Sequence, residues 1–138
     1  MDSLGTGDNE WASDLSRAAH GVMYQLVDDL AGDVILEAHF HRGVAEADLQ
    51  ALGQNLIQVY CHCPIDVAWE RYTSRRDDPA RHPGHRPEHQ DEAATAGWRT
   101  RPARPLELDG PLLEVDTSGQ VDIELVADRL QQLLVQQR

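Results

Sequence analysis

Three short apolar runs constrain this chain most: VIL at residues 34–36, LIQVY within LIQVYCHC at 56–63, and LLEV at 112–115. Between and around them lie longer stretches whose apolar residues recur every three or four positions. Short continuous runs read as strands buried in a parallel sheet, and the three-to-four spacing reads as helix. The order is helix (11–30), strand (34–36), helix (44–52), strand (56–63), helix from Pro64 to Arg76, a loop, strand (112–115) and a closing helix with Ile123, Val126, Leu130, Leu133 and Leu134 inward. Alternation of this kind predicts an α/β layered fold with right-handed crossovers between parallel strands. Trp11, Trp69 and Tyr72 stand at helical spacing and are expected in the core. Cys61 and Cys63 are two apart on a strand, so they share a face as small buried residues.

The 138 residues suit a single domain spanning 1–138, with no internal repeat. No apolar run approaches the roughly 18 residues of a membrane span, and the first twenty residues lack a signal-peptide pattern. Two cysteines cannot build a secreted disulfide framework. These features lead us to expect a cytoplasmic protein with no membrane partner.

Charge is unevenly placed. The formal net charge is −12 and lysine is absent, so all 12 basic residues are arginines. Eight lie in residues 71–104 against five acids, a net of +3 that leaves −15 for the rest. An acidic body argues against general nucleic-acid binding, which needs many neutralised phosphates. An arginine cluster suits a small anion, because the guanidinium fork matches phosphate or carboxylate oxygens and stays charged. The segment RRDDPARHPGHRPEH, residues 75–89, is its centre. Five prolines between residues 79 and 105, with little apolar content, predict a mobile loop over 77–105.

In an α/β sheet the binding crevice lies beyond the carboxyl ends of the strands. Those ends carry Glu37-Ala38-His39, Cys61-His62-Cys63 and Asp116-Thr117. Arg71 and Arg75, four apart, share one helix face near that crevice. They can serve an anion, pair with Asp66, Glu70, Asp77 and Asp78, or interact favourably with the helix C-terminus. Arg81, His82 and His85 are either lid residues or a solvated loop. A zinc site is not expected: Cys-x-Cys lacks the usual spacing, despite His39, His41, His62, His82 and His85 nearby in sequence.

The segments VILEAHF, VYCHCPIDVAWERYTSRR, RHPGH and LEVDTSG, in that order, resemble the P-loop small-molecule and polynucleotide kinases, including the zeta-toxin-like and AAA-labelled ATP-binding proteins. The resemblance covers residues 11–134, and its most specific part is the strand, Pro-led helix and arginine-rich lid. It implies a three-layer α/β/α fold with a mainly parallel sheet, and an ATP-dependent phosphotransferase acting on a small hydroxyl acceptor with ATP and Mg2+. It implies catalytic roles for Glu37 and Arg75, phosphate contacts for Arg71, Arg75, Arg76, Arg81, His82 and His85, and acceptor contacts for Arg42 and His39. No resident metal ligand is implied.

The chain departs from that family at one point. The family's first strand ends in G-x-x-x-x-G-K-[ST], the Walker A loop, whose amides and lysine hold the phosphates. Here there is no lysine, Gly5-Thr6-Gly7 lacks the motif, and the acid that follows the P-loop helix is missing. The expectation is a chain truncated at its amino terminus, lacking the central P-loop strand, binding ATP weakly and impaired in transfer. Strands 34–36 and 57–61 would then pair directly, the expected outcome, or a second chain would fill their open edges, or the protein would be marginally stable. The alternative is a non-catalytic anion- or partner-binding domain that keeps the kinase fold.

Overall fold

The structure is a computed structural model describing residues 9–75 and 103–137. Its elements, in chain order, are α1 (Asn9–Asp29), α2 (Ala45–Ala51), β1 (Gln58–His62), α3 (Ile65–Ser74), β2 (Leu112–Asp116) and α4 (Ile123–Gln137). The chain forms two compact units, Met1–Gln54 and Asn55–Arg138.

In the first unit, α1 ends where Gly32 takes a positive φ of 99°, a conformation that costs glycine little. Met23, Tyr24 and Val27 are half-buried, whereas Trp11, Leu15, Val22 and Leu26 are exposed. Trp11 is therefore not a core residue: it sits in the first turn of α1, where a helix has few neighbours. The start of α2 is fixed by several hydrogen bonds. The His41 carbonyl accepts from the N–H groups of Val44 (3.1 Å) and Ala45 (3.0 Å). The N–H of Gly43 donates to Glu46 Oε2 at 2.7 Å, the carboxylate half of a capping box. Ala45 and Leu49, one helical turn apart, are buried. Gly53, at φ 62°, closes the helix.

Residues 34–36 form no strand. A strand persists only when its N–H and C=O groups ladder with a neighbour, and among the described residues none pairs with this segment. Ile35 is 86 % exposed. The expected direct pairing of 34–36 with 57–61 is absent.

In the second unit, β1 and β2 form a two-stranded parallel sheet. Its register matches Gln58 with Leu112 and His62 with Asp116. Along β2, Leu113 and Val115 are buried while Leu112, Glu114 and Asp116 are exposed, the period of two that a half-covered strand requires. α4 packs against β2 with Val126, Leu130, Leu133 and Leu134 half-buried. Ile123, expected inward, is exposed because it opens the helix. Asp122 caps that start, its Oδ1 accepting from the Leu125 N–H at 3.0 Å. Cys61 is exposed and Cys63 half-buried. The expectation of buried cysteines fails because the side of β1 that carries Val59 and Cys61 is the less covered one.

Candidate functional site

The carboxyl ends of β1 and β2 lie side by side, since parallel register places His62 next to Asp116. The chain beyond Asp116 is tied down from three directions. Thr117 donates twice to the His62 carbonyl, through its N–H at 2.7 Å and its Oγ1 at 2.9 Å. The Ser118 N–H donates to Asp116 Oδ1 at 2.8 Å. From α3, Arg71 donates through Nη1 to the Thr117 carbonyl at 2.6 Å and through Nη2 to the Ser118 carbonyl at 2.8 Å. The 117–118 turn is thus wired to β1, to its own strand and to α3.

Two electrostatic consequences follow. The bonds from Ser118, backbone first, hold the Asp116 carboxyl below the usual carboxylate range, with the adjacent His62 adding to the effect. Desolvation, then Glu114, pushes the Tyr60 hydroxyl upward. Tyr60 and His62 stack at 5.9 Å with their planes 25° apart.

The helix that delivers Arg71 begins after Pro64, which occupies the cap position at φ −53° and accepts the Ala68 N–H at 3.0 Å. Trp69 and Tyr72, half-buried, stack at 5.6 Å. Its C-terminal carbonyls are satisfied by side chains. Thr73 Oγ1 donates to Trp69 and Glu70, both at 3.0 Å, Ser74 Oγ donates to Arg71 at 3.1 Å, and Arg75 Nε donates to the Arg71 carbonyl at 2.9 Å. Arg75 thereby holds the helix end with one nitrogen. Among the described residues its two Nη atoms have no hydrogen-bond partner.

Of the residues singled out in the sequence, Arg71 reaches the strand ends and spends its fork on backbone carbonyls. Arg75 lies one turn further along the chain, at the end of α3, and bonds back to the Arg71 carbonyl. Arg76, Arg81, His82 and His85 lie outside the described residues, as does most of the 77–105 loop. Glu37, His39 and Arg42 belong to the first unit, in the irregular segment before α2, and Glu37 is exposed rather than at a strand end. Thr117 and Ser118 were not singled out as ligand-positioning residues, although LEVDTSG marked the segment; nothing in a sequence indicates that a carbonyl pair will be gripped by a side chain 46 positions earlier. Among the described residues no three His, Cys, Asp or Glu side chains form a group that could hold a metal ion. Among them, too, no helix is long and apolar enough to cross a membrane.

The chain is mixed α/β, with a parallel strand pair and a helix whose Arg71 reaches the strand ends. Comparison with solved structures supplies its class. The 1.70 Å crystal structure of a "putative kinase" from Chloroflexus aurantiacus J-10-fl is similar to this chain at 31% identity and a TM-score of 0.82, covering 96% of this chain and 76% of that one. The chain belongs to the same kinase-like family as that protein. Protein-family profiles and curated proteins give no match.

Proposed function

We propose that this chain is a P-loop-type kinase module that grips the phosphate tail of ATP–Mg2+ beyond the ends of β1 and β2, and that its reaction is phosphoryl transfer to a small hydroxyl acceptor. The observation that carries this reading is the likeness to the Chloroflexus protein along 96% of the chain. Transfer of a phosphoryl group spreads charge over three oxygens, and holding that charge is most of what the protein must do. Arg75 would turn its guanidinium fork there, from the same helix whose Arg71, with Thr117 and Asp116, fixes the turn. Arg76, Arg81, His82 and His85 would close over the phosphates as a lid. Glu37 would assist Mg2+ or the acceptor, with Arg42 and His39 on the acceptor side.

Within this reading the fold is three-layered, and its central strand, the one that leads into a Walker A loop, is not among these 138 residues. Residues 34–36, apolar yet without a ladder partner, support that view. A second copy or another segment would then fill the open sheet edges. Without lysine and an amide cradle, nucleotide affinity is weak and transfer impaired.

A second reading is favoured by the absence of lysine: a domain that keeps the kinase fold and binds a phosphorylated partner without chemistry. Calorimetric titration of the full chain with ATP and Mg2+ separates the possibilities. The kinase reading predicts a dissociation constant on the order of a millimolar, weakened further by Arg75→Ala. Micromolar binding would contradict the importance given to the missing lysine. No heat for ATP, with heat for a phosphorylated peptide or metabolite, would favour the second reading.

A further inference from the structure

The turn that carries the chain into β2 holds a chemistry the kinase reading leaves unused. Asp109 is followed by Gly110, and no other aspartate or asparagine of the sequence precedes a glycine. Both residues are exposed and lie in a bend, outside any helix or strand. Among the described residues neither the Asp109 carboxylate nor the Gly110 N–H has a hydrogen-bond partner. Groups of this kind are satisfied by water alone, so nothing in the fold holds them in one rotamer.

That freedom matters because of how the two groups are connected. Joining the carboxyl carbon of an aspartate to the next peptide nitrogen closes a succinimide ring. The approach is built into the covalent chain and needs no tertiary contact. It takes only rotation about the Asp109 backbone and side chain. Glycine, having no Cβ, also leaves its nitrogen open to attack the neighbouring carboxyl.

We propose that Asp109-Gly110 is a modification site of the folded chain, where aspartate converts to isoaspartate. The Gly110 nitrogen loses its proton and attacks Asp109 Cγ. A C–N bond forms there, the C–OH bond breaks, and one water leaves. Water then adds to the ring at the main-chain carbonyl of Asp109. The bond from that carbonyl to the Gly110 nitrogen breaks, and the main chain now runs through the Asp109 Cβ, with the α-carboxylate as side group. The two steps release and then consume one water, so no co-reactant is required.

The fold gives the conversion a consequence. Gly110 sits at φ 149°, and a Cβ on it would collide with the backbone oxygen of Leu56. Its neighbour Pro111 accepts the Gln58 N–H at 2.9 Å, where β1 and β2 begin to pair. Isoaspartate lengthens the main chain by one carbon just before this close crossing, so it loosens the sheet from its amino-terminal end. The proposed phosphate site lies at the other end of both strands, and the inference stands apart from the kinase reading.

The test is to age the full chain, folded, at neutral pH and physiological temperature, beside a sample aged in urea. Isoaspartate is read by methyl transfer from S-adenosylmethionine with isoaspartyl methyltransferase, and located by peptide mapping. The folded sample should accumulate methyl-accepting sites with time, and most of them should map to position 109. Asp109→Glu should lose that signal. Asp109→Asn should gain it faster, because ammonia leaves more readily than water on the way to the same ring. The aged chain should melt below the fresh one, and the aged Asp109→Glu variant should show no such shift. Signal in urea alone would show that the fold protects the pair and would overturn the assignment, as would signal spread over the other aspartates or none in either sample. A converted chain that melts like the fresh one would overturn the consequence drawn for the sheet.

Discussion

Arg71 shows how one side chain's chemistry decides between two roles. Its two Nη groups meet successive carbonyl oxygens at 2.6 and 2.8 Å, a geometry that needs a planar fork. The residue therefore shapes the turn, and in the function proposed above the anion falls to Arg75. Arg71→Ala should destabilise the second unit by about 1 kcal/mol, because these bonds are solvent-exposed. Arg71→Lys should lose nearly as much, since an ammonium cannot span both carbonyls. Both losses should be nearly independent of salt, as the acceptors are uncharged. Urea denaturation at two ionic strengths reads this out; a lysine variant as stable as the original would refute the fork. From sequence alone the spacing of Arg71 and Arg75 was visible but their partners were not, because the carbonyls of Thr117 and Ser118 carry no residue-specific signal.

At the level of elements, local chemistry announced most of the architecture. Pro64 marks the start of α3, Gly53 the end of α2, and alternation in LLEVD marks β2. Residues 34–36 misled because three apolar residues specify burial, not a ladder; the partner strand decides whether a strand forms. Cys61 misled because alternation shows that residues share a face, not which face is covered. The approach to β2 depends on Gly110, at φ 149°. A Cβ there would collide with the backbone oxygen of Leu56, just ahead of β1, while Pro111 accepts the Gln58 N–H at 2.9 Å. Gly110→Ala should cost about 1–3 kcal/mol through strain and displacement of this crossing. Thermal melting measures it, and an unchanged midpoint would show that the crossing is looser than described.

For the whole molecule, the few buried apolar side chains among the described residues are Ala45, Leu49, Leu113 and Val115, and none is fully buried. Val59, Leu112 and Leu125 of the second unit are each at least 40 % exposed. The Chloroflexus relative is longer, with 76% of it covered. The α/β class and the kinase resemblance were legible in the sequence because element order is a property of the chain itself. The sheet's reduced extent was not, since it depends on which strands are present to pair. The account's central claim is that a nucleotide's phosphates are held where β1, β2 and the end of α3 meet. Amide NMR of the full chain titrated with ATP and Mg2+ tests it most directly. The account predicts that the largest shifts fall on His62, Cys63, Arg75 and residues 116–118 and that Arg75→Ala abolishes them; shifts scattered elsewhere, or none at saturating nucleotide, would contradict it.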